Sequence, residues 1–210
     1  MIGIIEAAGW PIWPIIAASI IALAIIGERF WALRSNTVAP KNLLSQVVEE
    51  YRAKGVSQEM VNRVAQGSVL GRVFAAGLRN VTSSREVMKE SIEEAGRGAV
   101  HELSRFISPL GTIASIAPIM GLLGTVIGMI EIFGSQAPSG ALSGGNPAQL
   151  AHGISVALYN TAFGLIIAIP TLFFWQYFRA RVNGYVMELE LAAERFARHL
   201  EPLCPGERKA

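Results

Sequence analysis

Cysteine is all but missing from this 210-residue chain, where Cys204 stands alone. A single thiol excludes a disulfide framework and any metal site built from several cysteines. Charge is scarce too: 16% of residues are charged against 51% hydrophobic, and the mean hydropathy is +0.40. That balance is too apolar for an ordinary soluble domain and fits several membrane spans. The net charge of +2 gives no reason to expect nucleic acid. No Lys or Arg falls in 1–28, so the first apolar run lacks the basic start of a cleavable signal peptide and is expected to remain in the protein. H-E-x-x-H, G-x-S-x-G and P-loop patterns are absent, and no two of His101, His152 and His199 stand at a metal-ligand spacing. The expectation is a protein that is not an enzyme and needs no cofactor or metal.

What is present is long apolar sequence. A span needs about 20 mainly apolar residues, and three windows supply them: about Ala8–Gly27, Ile107–Phe133 and Ile154–Phe178. Trp10, Trp13, Trp31 and Trp175 lie near the span ends, where amphipathic rings favour the interface. All 18 Lys and Arg lie in 29–105 or 179–209, and none in the connector 134–153. The positive-inside rule then puts the long loop and the tail in the cytoplasm. The division expected is 1–33 for an outer-facing N-terminus and first span, 34–106 for a cytoplasmic helical segment, and 107–133 for the second span. A periplasmic loop (134–153), the third span (154–178) and a cytoplasmic C-terminal helix and tail (179–210) complete it. The predicted fold is all-α and polytopic, with two of the three transmembrane helices extended into the cytoplasm.

Within 34–106, Leu43, Leu44, Val47, Val48 and Tyr51 recur at helical spacing and Gly55 offers a stop. Further on, Val87, Ile92, Ala95, Ala99, Leu103 and Phe106 fall on or near one face, with Ser83 or Ser84 as a cap. No strong break precedes the second span, so one long helix is expected to run from there into the membrane. Pro118 and Pro170 are expected to bend or loosen their spans. Arg34 and Lys41 read as topology determinants that also suit acidic headgroups.

Small residues form two stripes. Ala114, Pro118, Gly121, Thr125 and Gly128 share one face of the second span; Gly153, Ala157, Thr161, Gly164 and Ala168 share one face of the third. Such stripes let membrane helices approach closely, and on the plainer reading Gly121, Gly128, Ala157 and Gly164 simply make a packed seam. On the sharper reading the stripes line a shared interior, with Thr125 and Thr161 offering hydroxyls at middle depth. Either threonine can instead bond its own helix backbone. Glu131 is the only ionisable residue of the second span and lies toward its outer end. Intramembrane carboxylates commonly mark a pathway or partner, although a solvated Glu at a helix end is the competing reading. His152 reads as an interfacial helix-start residue.

The strings "WPIIAASIIALAIIGERFWALR", "IAPIMGLLGTVIGMIEIF" and "GISVALYNTAFGLIIAIPTLFFWQYFRARV" resemble the MotA/TolQ/ExbB proton channel family. Three spans make the chain similar to the ExbB and TolQ branch. The resemblance implies a pentamer of this subunit around an ExbD- or TolR-like single-span partner whose aspartate carries protons. It also implies a bacterial inner-membrane location and mechanical output through a TonB- or TolA-like protein. The pore threonines it implies fall on Thr125 and Thr161. Many members carry a glutamate five positions before the second of these, where this chain has Val156. Glu131 is the residue expected to serve instead as an entry-side funnel for protons. A passive membrane scaffold is the main alternative. A small membrane enzyme finds no clustered nucleophile, base or metal ligand to support it.

Overall fold

A computed structural model describes residues 9–135 and 147–201, and every regular element among them is helical. The helices are α1 (Ile12–Ala32), α2 (Ser35–Val38), α3 (Leu43–Lys54), α4 (Gln58–Gly67), α5 (Val69–Arg79), α6 (Arg85–Ser104), α7 (Ile107–Ser135) and α8 (Pro147–Leu200). The chain divides into two units. One is Met1–Gly27 with Ile107–Tyr177; the other is Glu28–Phe106 with Phe178–Ala210.

The first unit is apolar on the outside. Ile119, Leu122, Val126, Ile130, Leu158, Ile166, Ile169 and Phe173 are all exposed, a pattern that costs free energy in water and none in lipid. Three stretches, within Ile12–Ala32, Arg85–Gly134 and Ala151–Leu200, are helical and apolar over a length sufficient to cross a membrane. The chain is thus an all-helical, multi-pass membrane protein. Its span hydroxyls mostly satisfy themselves: Ser19, Thr112, Ser115, Ser155 and Thr171 donate to backbone carbonyls three or four residues earlier, at 2.7–3.1 Å.

The second unit has a core of its own. α5 buries Val69, Leu70, Val73, Phe74 and Leu78, and the distal part of α8 buries Phe178, Val182, Tyr185, Leu189, Phe196 and Leu200. Both sets follow helical spacing. Phe74 stacks on Phe196 with ring centroids 4.2 Å apart, a pairing that contributes about 0.5–1.5 kcal/mol beyond burial. Gly77 makes room for this: a β-carbon there would lie 2.9 Å from Ile92 Cδ1 and 3.1 Å from Phe196 Cε1. Serine hydroxyls start three of the helices, Ser57 accepting from Glu59 N, Ser68 from Gly71 N and Ser84 from Val87 N. Of the two serines proposed for the last cap, Ser84 is the one used. Gly55 ends α3 with φ +70° and its N–H on Tyr51 O at 2.8 Å, a conformation open to glycine at little cost.

Four boundaries differ from the sequence reading. The single helix expected from the polar segment into the second span is interrupted: Arg105 and Phe106 form a turn between α6 and α7. Pro109 gives the reason, because it has no N–H to donate to the Arg105 carbonyl and its ring crowds that carbonyl. α8 begins at Pro147, so residues 147–153 of the expected connector are helical; proline is well placed at a first helical position. α1 starts after Pro11 and runs through Glu28 and Arg29 to Ala32. Those charges do not stop it because Arg29, only 5% exposed, is bonded to Glu28 and donates to Leu103 O at 2.9 Å. Finally, within the expected 34–106 helical segment, α4 and α5 fill a stretch for which the sequence gives no individual helix bounds. Val87, placed on the apolar face of α6, is exposed. Pro118 and Pro170 both remain inside their helices. The beginning of the first predicted span, the middle of the connector and Cys204 lie outside the described residues.

Candidate functional site

In the membrane unit α7 and α8 meet backbone to backbone. A β-carbon on Gly121 would lie 2.7 Å from Asn160 O and 3.0 Å from Thr161 Cα. One on Gly164 would lie 2.7 Å from Ala117 O. Further along, Gly128 faces the Ala157 methyl at 3.1 Å, and Gly153 faces Ile132 Cδ1 at 2.7 Å. The two small-residue stripes therefore face each other within one chain. Gly124, which was not placed on either stripe, belongs to the same seam: its missing side chain leaves space filled by Asn160, whose Cβ is 2.8 Å from the ideal β-carbon position. Asn160 itself is 2% exposed and was also missed. The sequence signal for it is a carboxamide in the middle of an apolar run, next to a threonine.

The two threonines differ. Thr125 donates to Leu122 O at 2.7 Å and lines an open depression with Val126, Met129, Ile130, Phe133 and Gly134. Thr161 Oγ1 is buried and has no hydrogen-bond partner among the described residues. A buried hydroxyl left so costs about 1–3 kcal/mol, which makes Thr161 a position on these helices that favours an incoming polar group.

Glu131 is exposed and lies on a second cavity of about 420 Å³, with His152, Val156, Ala157, Asn160, Gly124 and Trp10 among its walls. It does not share the Thr125 depression. Six residues of α-helix place Glu131 about 120° around α7 from Thr125. The structure thus brings Glu131 together with Val156, the position at which the resemblance implies a glutamate, and separates it from Thr125. Among the described residues no group of three or more His, Cys, Asp or Glu is arranged to hold a metal.

Helices of this length and surface, paired through glycine, define a class: a membrane-embedded helical subunit. Residues 65–191, more than half the chain, match the sequence model of the MotA/TolQ/ExbB proton channel family, and the chain belongs to that family. Similar curated proteins place it on the ExbB/TolQ side. ExbB-like protein 3 of Synechocystis is 29% identical over 195 residues, covering 87% of this chain and 90% of that protein. Biopolymer transport protein exbB1 of Vibrio cholerae is 29% identical over 164 residues, covering 76% and 71%. The Tol-Pal system protein TolQ of Haemophilus influenzae is 28% identical over 195 residues, covering 81% and 78%. The chain is a proton-channel subunit of the ExbB/TolQ type of motor.

Proposed function

We propose that this subunit sits in a bacterial inner membrane with its N-terminus periplasmic and its C-terminus cytoplasmic, and that five copies surround a single-span partner of the ExbD/TolR kind. The basic residues, confined to 29–105 and 179–209, support that orientation. Proton flow along the partner's transmembrane aspartate then performs work on the envelope through a TonB- or TolA-like protein. Thr125, Thr161 and Glu131 are the proton-pathway residues of this chain in that reading. Relatives named for biopolymer transport and for the Tol-Pal system are matched at similar identity, so both outputs stay open.

The observation that carries the reading is the Thr161 hydroxyl, buried and without a partner, beside a glycine seam that already accounts for close packing without it. A hydroxyl suits a passing proton carrier: it binds a protonated acid weakly enough to release it, whereas a fixed charge would trap it. The test is native mass spectrometry of the tagged chain extracted gently from its own membranes. Five copies with two of a single-span, aspartate-bearing partner is the expected mass. A homo-oligomer without such a partner, when the partner gene is expressed, would support the scaffold instead.

A further inference from the structure

We infer that protons enter this subunit through its own cavity, lined by α7, α8 and the Gly9–Pro11 segment that precedes α1, with Glu131 and His152 as the groups that collect them. This rests on the channel reading above and adds the location and chemistry of the entrance.

The described part of the membrane unit contains one carboxylate, Glu131, and one imidazole, His152, and no Lys, Arg or Asp. Both lie on the same cavity. They sit near the end of α7 and the start of α8, consecutive helices whose adjoining ends share this cavity. Neither makes a hydrogen bond or ion pair within the described residues, and both are exposed; they are available to exchange protons with water. Ahead of α1, Gly9, Trp10 and Pro11 reach the walls, so no third described charge faces the pair.

The cavity also has depth. Its wall on α7 runs from Glu131 to Gly124, about 10 Å along the helix axis, and on α8 from His152 to Asn160, about 12 Å. Its volume of about 420 Å³ is ample for water. At the inner end stands the Asn160 side chain, in the turn that also carries Thr161. Gly124, Gly128 and Gly153 also line the cavity, each packed against the facing helix at Asn160, Ala157 and Ile132. A proton taken from water by the Glu131 carboxylate or the His152 imidazole neutralises the first or charges the second, and returns to water deeper in the cavity with no other bond made or broken. Carboxylate and imidazole are side chains that take up and release protons in general acid–base chemistry.

The test uses the chain in complex with its single-span partner, reconstituted in vesicles with the connector side outward and a pH-sensitive dye inside. Val156 is replaced by cysteine in a background carrying Cys204→Ser, and flux is read on the same vesicles before and after a membrane-impermeant sulfonate thiol reagent. The expected result is reaction at position 156 from the outside and a drop in flux of at least fivefold, because the adduct fills the entrance. Glu131→Gln, and to a smaller degree His152→Gln, are expected to lower flux with the complex still assembled. Complete labelling with flux unchanged, or a thiol that does not react from outside, overturns the entrance. Absence of flux in the unlabelled wild-type complex sinks the channel reading itself, and the entrance with it.

Discussion

Gly121 and Gly164 face each other so closely that a β-carbon on the first would lie 3.3 Å from the Cα of the second, and one on the second 3.1 Å from the Cα of the first. Nothing in a lipid bilayer drives helices together by apolar burial, so α7 and α8 gain their association from contact at this range. The seam is a structural commitment: the helices can hold position only where side chains are nearly absent.

Gly121→Val should therefore separate the two helices. Its β-carbon would start 2.7 Å from a backbone oxygen, which cannot swing away as a side chain can, and over-packing of this kind costs about 1–3 kcal/mol or more. Loss of thermal stability in detergent checks it. Gly184→Ala is the contrasting case, because nothing lies within 4 Å of a β-carbon there. In a helix interior that change should stabilise by about 0.5–1 kcal/mol.

Arg29 is expected to be intolerant of replacement. Its guanidinium donates to Leu103 O, pairs with Glu28 and lies 5.0 Å from the Phe106 ring centroid while nearly buried. Arg29→Ala leaves the Leu103 carbonyl without that donor and should destabilise by about 1–3 kcal/mol. Arg29→Lys should recover only part of the loss, since an ammonium cannot reproduce the planar fork. Chemical unfolding of the three proteins side by side would measure both.

Acid should loosen the end of α8. Glu201 accepts from Lys89 and from Arg85, each at 2.8 Å. The Lys89 hydrogen bond, opposed by desolvation and aided by Arg85, holds its carboxyl below the usual carboxylate value. A lowered folded-state pKa means the contribution is fully present above the unfolded pKa, near about 4.3, and is lost as pH falls through the folded value. Glu201→Gln should flatten that part of the stability profile between neutral and acid pH and leave the profile above it parallel to wild type.

The threonines should separate by function. Thr125 already satisfies its hydroxyl on Leu122 O, while Thr161 has a buried one to offer. Thr161→Val keeps the shape and should leave subunit stability equal or slightly higher, yet lower proton flux by tenfold or more. Thr125→Val should lower it less. Equal effects would remove the distinction drawn between them.

Much of this architecture was legible because bilayer spans leave a coarse signal. Twenty apolar residues and a clean split of Lys and Arg survive any local ambiguity, and three helices with spanning stretches follow from it. The finer features were hidden where one residue decides the outcome. Pro109 breaks a helix whose apolar pattern runs straight through it. Arg29 looks like the charge that closes a span until its hydrogen bond to Leu103, 74 positions away, shows why α1 continues. α4 and α5 are short and separated by a single extended residue, Ser68, so their periodicity is cut before it can accumulate. At the candidate site the stripes themselves could be drawn from spacing, but which face meets which partner could not. Gly124 and Asn160 fit each other across two helices, and no pattern within one helix predicts that. The 120° between Glu131 and Thr125 was calculable from their separation, yet its meaning depends on the cavity that only folding creates.

Proton flux through the complex is the most direct test of the central claim. Vesicles carrying the chain together with its single-span partner, under an imposed pH gradient and with a potassium–valinomycin clamp, should acidify; those carrying either protein alone should not. Thr161→Val in the chain should suppress the signal without dispersing the complex. Flux indifferent to Thr161→Val, or no flux from a correctly assembled complex, would contradict the account and leave the glycine seam as packing alone.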